Sequence, residues 1–319
     1  MSIDKIKLKN RINEYAIYVV LILLFIFFSI ASPAFLNASN LINVIRQISM
    51  LGIASVGMTF ALLVGGIDLS IGSQMSMVAV ICSIMITKGQ VNPWLASILC
   101  IILTSLVGFF NGVIISKIKM PPLIVTLSSM IVIEGIAFII SKGIPIFGFP
   151  QGFSVLGQGY IGFIPIPVII MIIILAIGSI ILNKSYIGRF FYAIGGNEEA
   201  SRLSGINVDR IKCLAYTLSG LFAGIAGILL LSRTNSGQPT MGKGFEFDVL
   251  TAVVLGGVSV NGGVGKISNV VSGILIIGVL NNGLVLMGVN TYVQAVVKGI
   301  VLLIAVAFDF IQRSKKESK

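Results

Sequence analysis

The sequence predicts an all-α integral membrane protein with about ten transmembrane segments, some of them broken or short. Three observations carry that prediction. Of 319 residues, 56% are hydrophobic and only 10% charged, with a mean hydropathy of +1.06. Ordinary soluble domains carry about a quarter charged residues. The apolar runs are about twenty residues long, which suits helices rather than the alternating ten-residue strands of a barrel. The basic residues behind the net charge of +11 are segregated among short loops and the two tails, as in proteins whose cytoplasmic loops collect Lys and Arg. That spread does not suggest nucleic acid.

Residues 1–14 form a basic tail with Lys5, Lys7, Lys9 and Arg11. The first span covers 15–32. A basic start, an apolar run and Ser29-Ile30-Ala31 also fit a cleaved signal peptide, but the length of the run favours an uncleaved anchor. The following spans are 41–64, 69–87, 94–116, 122–141, 163–183, 213–232, 246–260, 268–288 and 291–310, the eighth being short. Counted from a cytoplasmic N-terminus, Lys88, Lys142, Arg233 and Lys243 fall in outer loops, and Arg46 and Lys298 fall within spans. The remaining basic residues lie inside, which places both termini and the segment 183–212 in the cytoplasm. On the outer side, 142–162 is rich in Gly and Pro and reads as a turning surface loop, either meeting an extracellular partner or meeting none.

Several spans are interrupted. Gly65-Gly66 breaks the second apolar region, Gly256-Gly257 and Gly262-Gly263 the eighth, and Asn281-Asn282-Gly283 lies inside the ninth. Irregular backbone at membrane depth is tolerated only inside protein or along a polar cavity, so these positions point to a translocation path. Residues 61–72 can be laid over 252–263 as an internal repeat. Both copies end on the same side, unlike inverted repeats.

Ionisable groups within or beside apolar runs are functional candidates by default. They are Arg46, Asp68, Glu134, Lys298 and Asp309; a structural pair such as Glu134 with Lys298 is the alternative. Gln74, Asn111, Asn281 and Asn282 suit either the hydroxyls of a neutral solute or ties between helices. Cys82, Cys100 and Cys213 lie in apolar runs at no metal-ligand spacing and read as packing residues. The chain has no histidine, which removes the commonest general base and metal ligand. Gly265-Lys266 is followed by Ile267 and position 260 is Val, so the phosphate-loop spacing fails. Gly157-x-Gly159-x-x-Gly162 leads into Pro165 and Pro167 rather than a dinucleotide-binding helix. Neither metal nor catalytic residues are expected, and no cofactor in this chain.

The long charged interruption is 183–212. Within it Asn197 can cap a short helix, Glu198 and Glu199 suit its N-terminus, and Gly205 supplies a left-handed stop. Two turns are too short to be stable alone. The stretch is either a solvated connector or a contact to another protein.

Two stretches carry a family resemblance. Gly65-Gly66-Ile67-Asp68-Leu69-Ser70-Ile71-Gly72-Ser73 resembles the GGIDLS signature of sugar permeases, the membrane subunits of bacterial ATP-binding-cassette importers of the ribose type. Gly195-Gly196-Asn197-Glu198-Glu199-Ala200 with Leu203-Ser204-Gly205-Ile206 resembles the same family's cytoplasmic loop, and Val254–Ser259 with Gly262–Gly265 resembles a further element. The resemblance implies a single polytopic domain over 1–319, with 183–212 as a coupling loop. It also implies a non-enzymatic subunit of the bacterial cytoplasmic (inner) membrane that moves a monosaccharide. Its implied partners are a cytoplasmic ATPase that binds the ATP, an extracellular sugar-binding protein, and a second permease copy, the same chain or another. ATPase docking is then expected at Gly196, Asn197, Glu198, Glu199, Ala200, Ser204, Gly205 and Ile206. The pathway is expected at Gly65, Gly66, Asp68, Ser70, Asn111, Glu134, Asn281 and Asn282. Ribose is the first solute expected, with galactose, xylose, other pentoses and polyols open. A stand-alone transporter driven by an ion gradient is the alternative from another class, and a membrane-embedded enzyme is disfavoured by the missing histidine and phosphate loop.

Overall fold

Proline and glycine set where the apolar runs of this chain stop, and the helices follow. The computed structural model describes residues 3–317, with side chains from 17 to 311. The basic side chains of the N-terminal tail, and those of Arg313, Lys315, Lys316 and Lys319, lie outside the described residues. The first five helices are α1 (Ile3–Ala31), α2 (Ala38–Leu63), α3 (Ile71–Thr87), α4 (Pro93–Lys117) and α5 (Pro122–Ser141). The Gly- and Pro-rich segment after α5 holds a 3-10 turn at Gln151–Ser154, one helical turn α6 (Val155–Gln158) and a small antiparallel hairpin of β1 (Tyr160–Ile161) and β2 (Ile164–Pro165). Then come α7 (Ile166–Lys184), α8 (Tyr186–Gly196), α9 (Glu198–Leu203), α10 (Val208–Thr234), α11 (Phe245–Leu255), α12 (Ile267–Leu286) and α13 (Thr291–Glu317). Pro93, Pro122 and Pro167 sit in the first turns of their helices, where a missing N–H costs nothing.

Among the described residues, seven helices are long and apolar enough to cross a membrane: α2, α4, α5, α7, α10, α12 and α13 over Thr291–Ile311. The chain is a multi-pass membrane protein. The apolar part of α1 (Ile17–Ala31) and α3 are shorter. The eighth expected span shortens from 246–260 to the eleven residues of α11, because the break read at Gly256-Gly257 ends the helix. Asn281-Asn282-Gly283 does not break its helix: α12 runs unbroken through it. The glycine there serves packing, since a Cβ at Gly283 would come within 2.3 Å of the Phe28 ring.

α10 is the axis of the bundle, packing against α4, α2 and α3. The seam with α4 is built from two glycine pairs: Gly108 and Gly112 pack on Tyr216 and Cys213, and Gly220 and Gly224 pack on Thr104. A Cβ at Gly108 would come within 2.2 Å of the Tyr216 carbonyl, and one at Gly220 within 2.2 Å of the Thr104 carbonyl. Lipid offers no hydrophobic drive between helices, so such close backbone approach supplies the packing energy. The outward faces of α4, α5, α7 and α13 expose large apolar side chains such as Ile102, Ile131, Ile172 and Leu303.

Segment 142–162 is tied down rather than free. Ser232 Oγ donates to the Phe153 carbonyl and accepts from Gly157 N–H, Gln158 Nε2 donates to the Arg233 carbonyl, and Ile146 bridges Gly237. Arg46 donates to the Gln158 carbonyl at 2.8 Å with its guanidinium over the Tyr160 ring. Cys82 and Cys100 are buried, Cys213 is half-buried, and all three are free thiols.

Candidate functional site

The region expected to be a charged loop is mostly helix. α8 is missed by a reading that follows charge, because Arg189 hides an amphipathic pattern. Phe191 and Ile194 are buried, and Phe191 packs 5.4 Å from the ring of Phe60 on α2. Ser185 caps α8 at Gly188 N–H. Asn197 ends α8 and caps α9, its Oδ1 accepting from Ala200 N–H at 2.8 Å. Gly205 takes φ +84, and the N–H groups of Gly205 and Ile206 close back on Arg202 and Ser201. That is a left-handed stop.

A six-residue helix needs outside support, and ion pairs give it. Glu198 pairs with Lys212 and Arg202, and Arg202 also pairs with Asp209, which fixes α9 against the start of α10. Partial burial pushes the Glu198 carboxyl up, but Lys212 and Arg202 outweigh it and hold it below the usual carboxylate range. Gly196, Asn197, Glu198, Glu199, Ala200, Ser204 and Gly205 are exposed and Ile206 is half-buried. Leu203, not among the docking residues expected from sequence, is 85% exposed. An apolar side chain held out by a stapled helix is the signal that could have found it.

α8 is keyed into the helix bundle at the end of α2. A Cβ at Gly195 would lie 1.9 Å from the Leu63 carbonyl and 2.2 Å from Gly263 N. Gly263 N–H donates to that same carbonyl, and Tyr192 Oη donates to the Gly265 carbonyl at 2.8 Å. Thus α8, the end of α2 and the connection after α11 meet at one point. The ends of α2 and α11 have the same form. Gly65 and Gly66 N–H close on Leu62 and Ala61, as Gly257 and Val258 N–H close on Val254 and Val253. Gly65 and Gly257 both take positive φ. This equivalence lies one residue away from the repeat alignment of 61–72 with 252–263.

After Leu63 the chain crosses seven irregular residues before α3, and Asp68 organises them. It is fully buried. Its carboxylate accepts from Ser70 N–H, Ser70 Oγ and Ser219 Oγ. Ser70 Oγ accepts in turn from Gln74 and Asn111, and Ser129 Oγ donates to Asn111. Thr126 Oγ1 donates to the Ile67 carbonyl. A Cβ at Gly66 would come 2.0 Å from Tyr216 Oη. The structure therefore brings Asp68, Ser70 and Asn111 into one network joining α3, α4, α5 and α10, with Gly66 beside it against Tyr216, while Gly65 bonds back to Leu62 and stays outside the network.

Glu134, Asn281 and Asn282 lie elsewhere. Asn282 exchanges amide hydrogen bonds with Asn40 and ties α12 to α2. Asn281 donates to Asp248, which also pairs with Lys298 at 2.8 Å. Glu134 faces Lys243 at 3.7 Å. The structural pair considered between Glu134 and Lys298 is not formed, because each has a nearer opposite charge.

The comparisons agree with this architecture. Residues 40–306 match the family described as branched-chain amino acid transport system / permease component. The chain is 46% identical over 291 residues to the ribose import permease protein RbsC of Bacillus subtilis, covering 91% of this chain and 90% of the relative. It is 40% identical to RbsC of Escherichia coli K12, covering 94% and 95%, and 40% identical to that organism's L-arabinose transport system permease protein AraH, covering 96% and 92%. No solved structure matches the chain significantly. With nearly all of its bundle covered by the match, the chain belongs to the family of branched-chain amino acid transport system / permease components.

Proposed function

We propose that this chain is the membrane-spanning subunit of an ATP-binding-cassette importer that moves a monosaccharide, with ribose first, across the bacterial cytoplasmic membrane. The observation that carries the solute class is its 46% identity, over 91% of its length, to a protein named as a ribose import permease. In this reading ten segments cross the membrane, adding α1, α3 and the short α11 to the seven long helices, and both termini face the cytoplasm. The placement of Lys117, Lys119, Lys184 and the basic residues of 183–212 supports that orientation. The chain is not itself an enzyme, and a partner ATPase binds and hydrolyses ATP. An extracellular sugar-binding protein delivers the solute, and a second permease subunit completes the pathway.

The exposed, ion-paired α9 with Leu203 at its tip suits a groove of the ATPase, and the Gly195 contact links its movement to the end of α2. ATP then supplies the differential affinity that shifts the permease between outward and inward states. Charge reversal separates two roles here. Glu199→Lys alters an exposed side chain and is expected to weaken co-purification with the ATPase about tenfold while leaving membrane abundance unchanged. Glu198→Lys also breaks the pairs to Lys212 and Arg202, so α9 itself loosens and amide exchange over 198–205 rises. Unchanged co-purification for both would remove the docking role.

The function is tested in proteoliposomes holding the chain with its ATPase and binding protein. The expected result is ATP-dependent uptake of radiolabelled ribose and none from the chain alone under a proton or sodium gradient. Uptake by the chain alone under such a gradient would decide for the ion-coupled alternative.

A further inference from the structure

A cavity of about 240 Å³ lies between α3, α5 and the connection into α11, apart from both the α9 surface and the Asp68 network. Its lining includes Ser73, Ser76, Glu134, Lys243, Glu246 and Phe247. At 1.5 Å per helical residue, Glu134 lies about 10 Å from the α5 end at Ser141, and Ser76 about 16 Å from the α3 end at Thr87. These lining residues therefore sit two to three turns in from those helix ends.

Glu246 is 5% exposed, and among the described residues no side chain hydrogen-bonds to its carboxylate. The carboxylate lies over the N–H groups of Gly244 and its own residue. Its room comes from Gly72, where a Cβ would sit 2.0 Å from Glu246 Oε2. Ser76 Oγ accepts from Gly242 N–H at 2.9 Å and so holds the connection against α3. The Glu134–Lys243 separation of 3.7 Å is too long for a hydrogen bond, and the Lys243 side chain is 70% exposed. A loose ion pair at this depth cannot face hydrocarbon without a large cost, so this side of the molecule meets water or protein.

The chemistry of the lining is mixed. Carboxylates only accept hydrogen bonds, an ammonium only donates, and a serine hydroxyl does both. A sugar offers hydroxyls that both donate and accept, and Phe247, 45% exposed, offers a flat apolar wall for the C–H face of a ring. The volume falls below the range of drug-sized pockets and suits a small solute. We propose that this cavity is a transit site for a neutral polyhydroxylated solute, with Glu246 accepting from its hydroxyls and Lys243 donating to them. The proposal rests on the sugar-permease reading above and adds Glu246, Lys243 and Phe247 to its pathway.

Glu246→Gln replaces two charged acceptors with one neutral acceptor and one donor. In proteoliposomes with the ATPase and binding protein, it is expected to lower ATP-driven uptake of radiolabelled ribose at subsaturating concentration by roughly tenfold or more. Membrane abundance and recovery of the complex serve as folding controls, and Lys243→Gln replaces it if that variant is not recovered. A second readout is independent of turnover: Phe247→Cys reacts with a water-soluble thiol reagent, and millimolar ribose slows the reaction. Wild-type uptake by the recovered variant, with labelling of Phe247→Cys unaffected by ribose, would overturn the transit site while leaving the permease reading standing. Absence of ATP-driven sugar uptake by the wild-type complex would overturn the permease reading, and the site with it.

Discussion

Asp68→Ala is expected to deplete the folded protein from the membrane, and Asp68→Asn to retain most of it. Asp68 receives three hydrogen bonds, from Ser70 N–H, Ser70 Oγ and Ser219 Oγ, at a site with no solvent exposure. Alanine orphans those donors together, at about 1–3 kcal/mol for each buried group left without a partner. Total stabilities of about 5–15 kcal/mol leave little room for that. Asparagine keeps the acceptor toward Ser70 and turns its amide toward Ser219, whose hydroxyl can accept instead of donate. The measurement is membrane abundance together with the melting temperature in detergent. An Asp68→Ala protein that melts with the wild type would show that the network does not hold the break between α2 and α3. The carboxylate is enclosed by its own protein, bonded to Ser70 and Ser219.

The second large effect is expected at Gly195. A Cβ there meets the Leu63 carbonyl at 1.9 Å and Gly263 N at 2.2 Å, backbone on both sides. No rotamer relieves such a contact, so α8 must move off the end of α2 or Gly263 must leave Leu63. Overpacking of this kind costs about 1–3 kcal/mol or more. Gly195→Ala should therefore lower the melting temperature by several degrees and reduce ATP-driven uptake more than ATPase activity, because the movement of α9 no longer reaches the α2 break. Gly196 is the control for stability: nothing lies within 4 Å of a Cβ there, and Gly196→Ala should leave the melting temperature near that of the wild type. Equal loss of uptake and of ATP hydrolysis in Gly195→Ala would argue against a transmission role.

Much of this was legible in the residues themselves. The positions of α4, α5, α7 and α10 follow from apolar runs bounded by Pro93, Pro122, Pro167 and the charged stretches, within a few residues. The Asn197 cap and the Gly205 stop follow from local hydrogen-bonding chemistry. One residue type can serve two purposes. Gly283 reads as a helix breaker but makes room for Phe28. α8 was hidden because a charge at Arg189 outweighed the spacing of Phe191 and Ile194.

The sequence alone determined that the chain crosses a membrane several times and carries an exposed, capped short helix in its charged interruption. It also marked Gly65–Ser73 as a break. These are consequences of composition and of contacts within a few residues, which the linear order records. Only the tertiary structure decided that Asp68 and Asn111 share a network, that Asn282 ties α12 to α2, and that Glu134 faces Lys243 and a cavity rather than Lys298. The physical reason is that a buried charge or amide is defined by its partner. Here the partners lie on other helices, at separations such as the 151 residues between Asp68 and Ser219, where no local pattern links them.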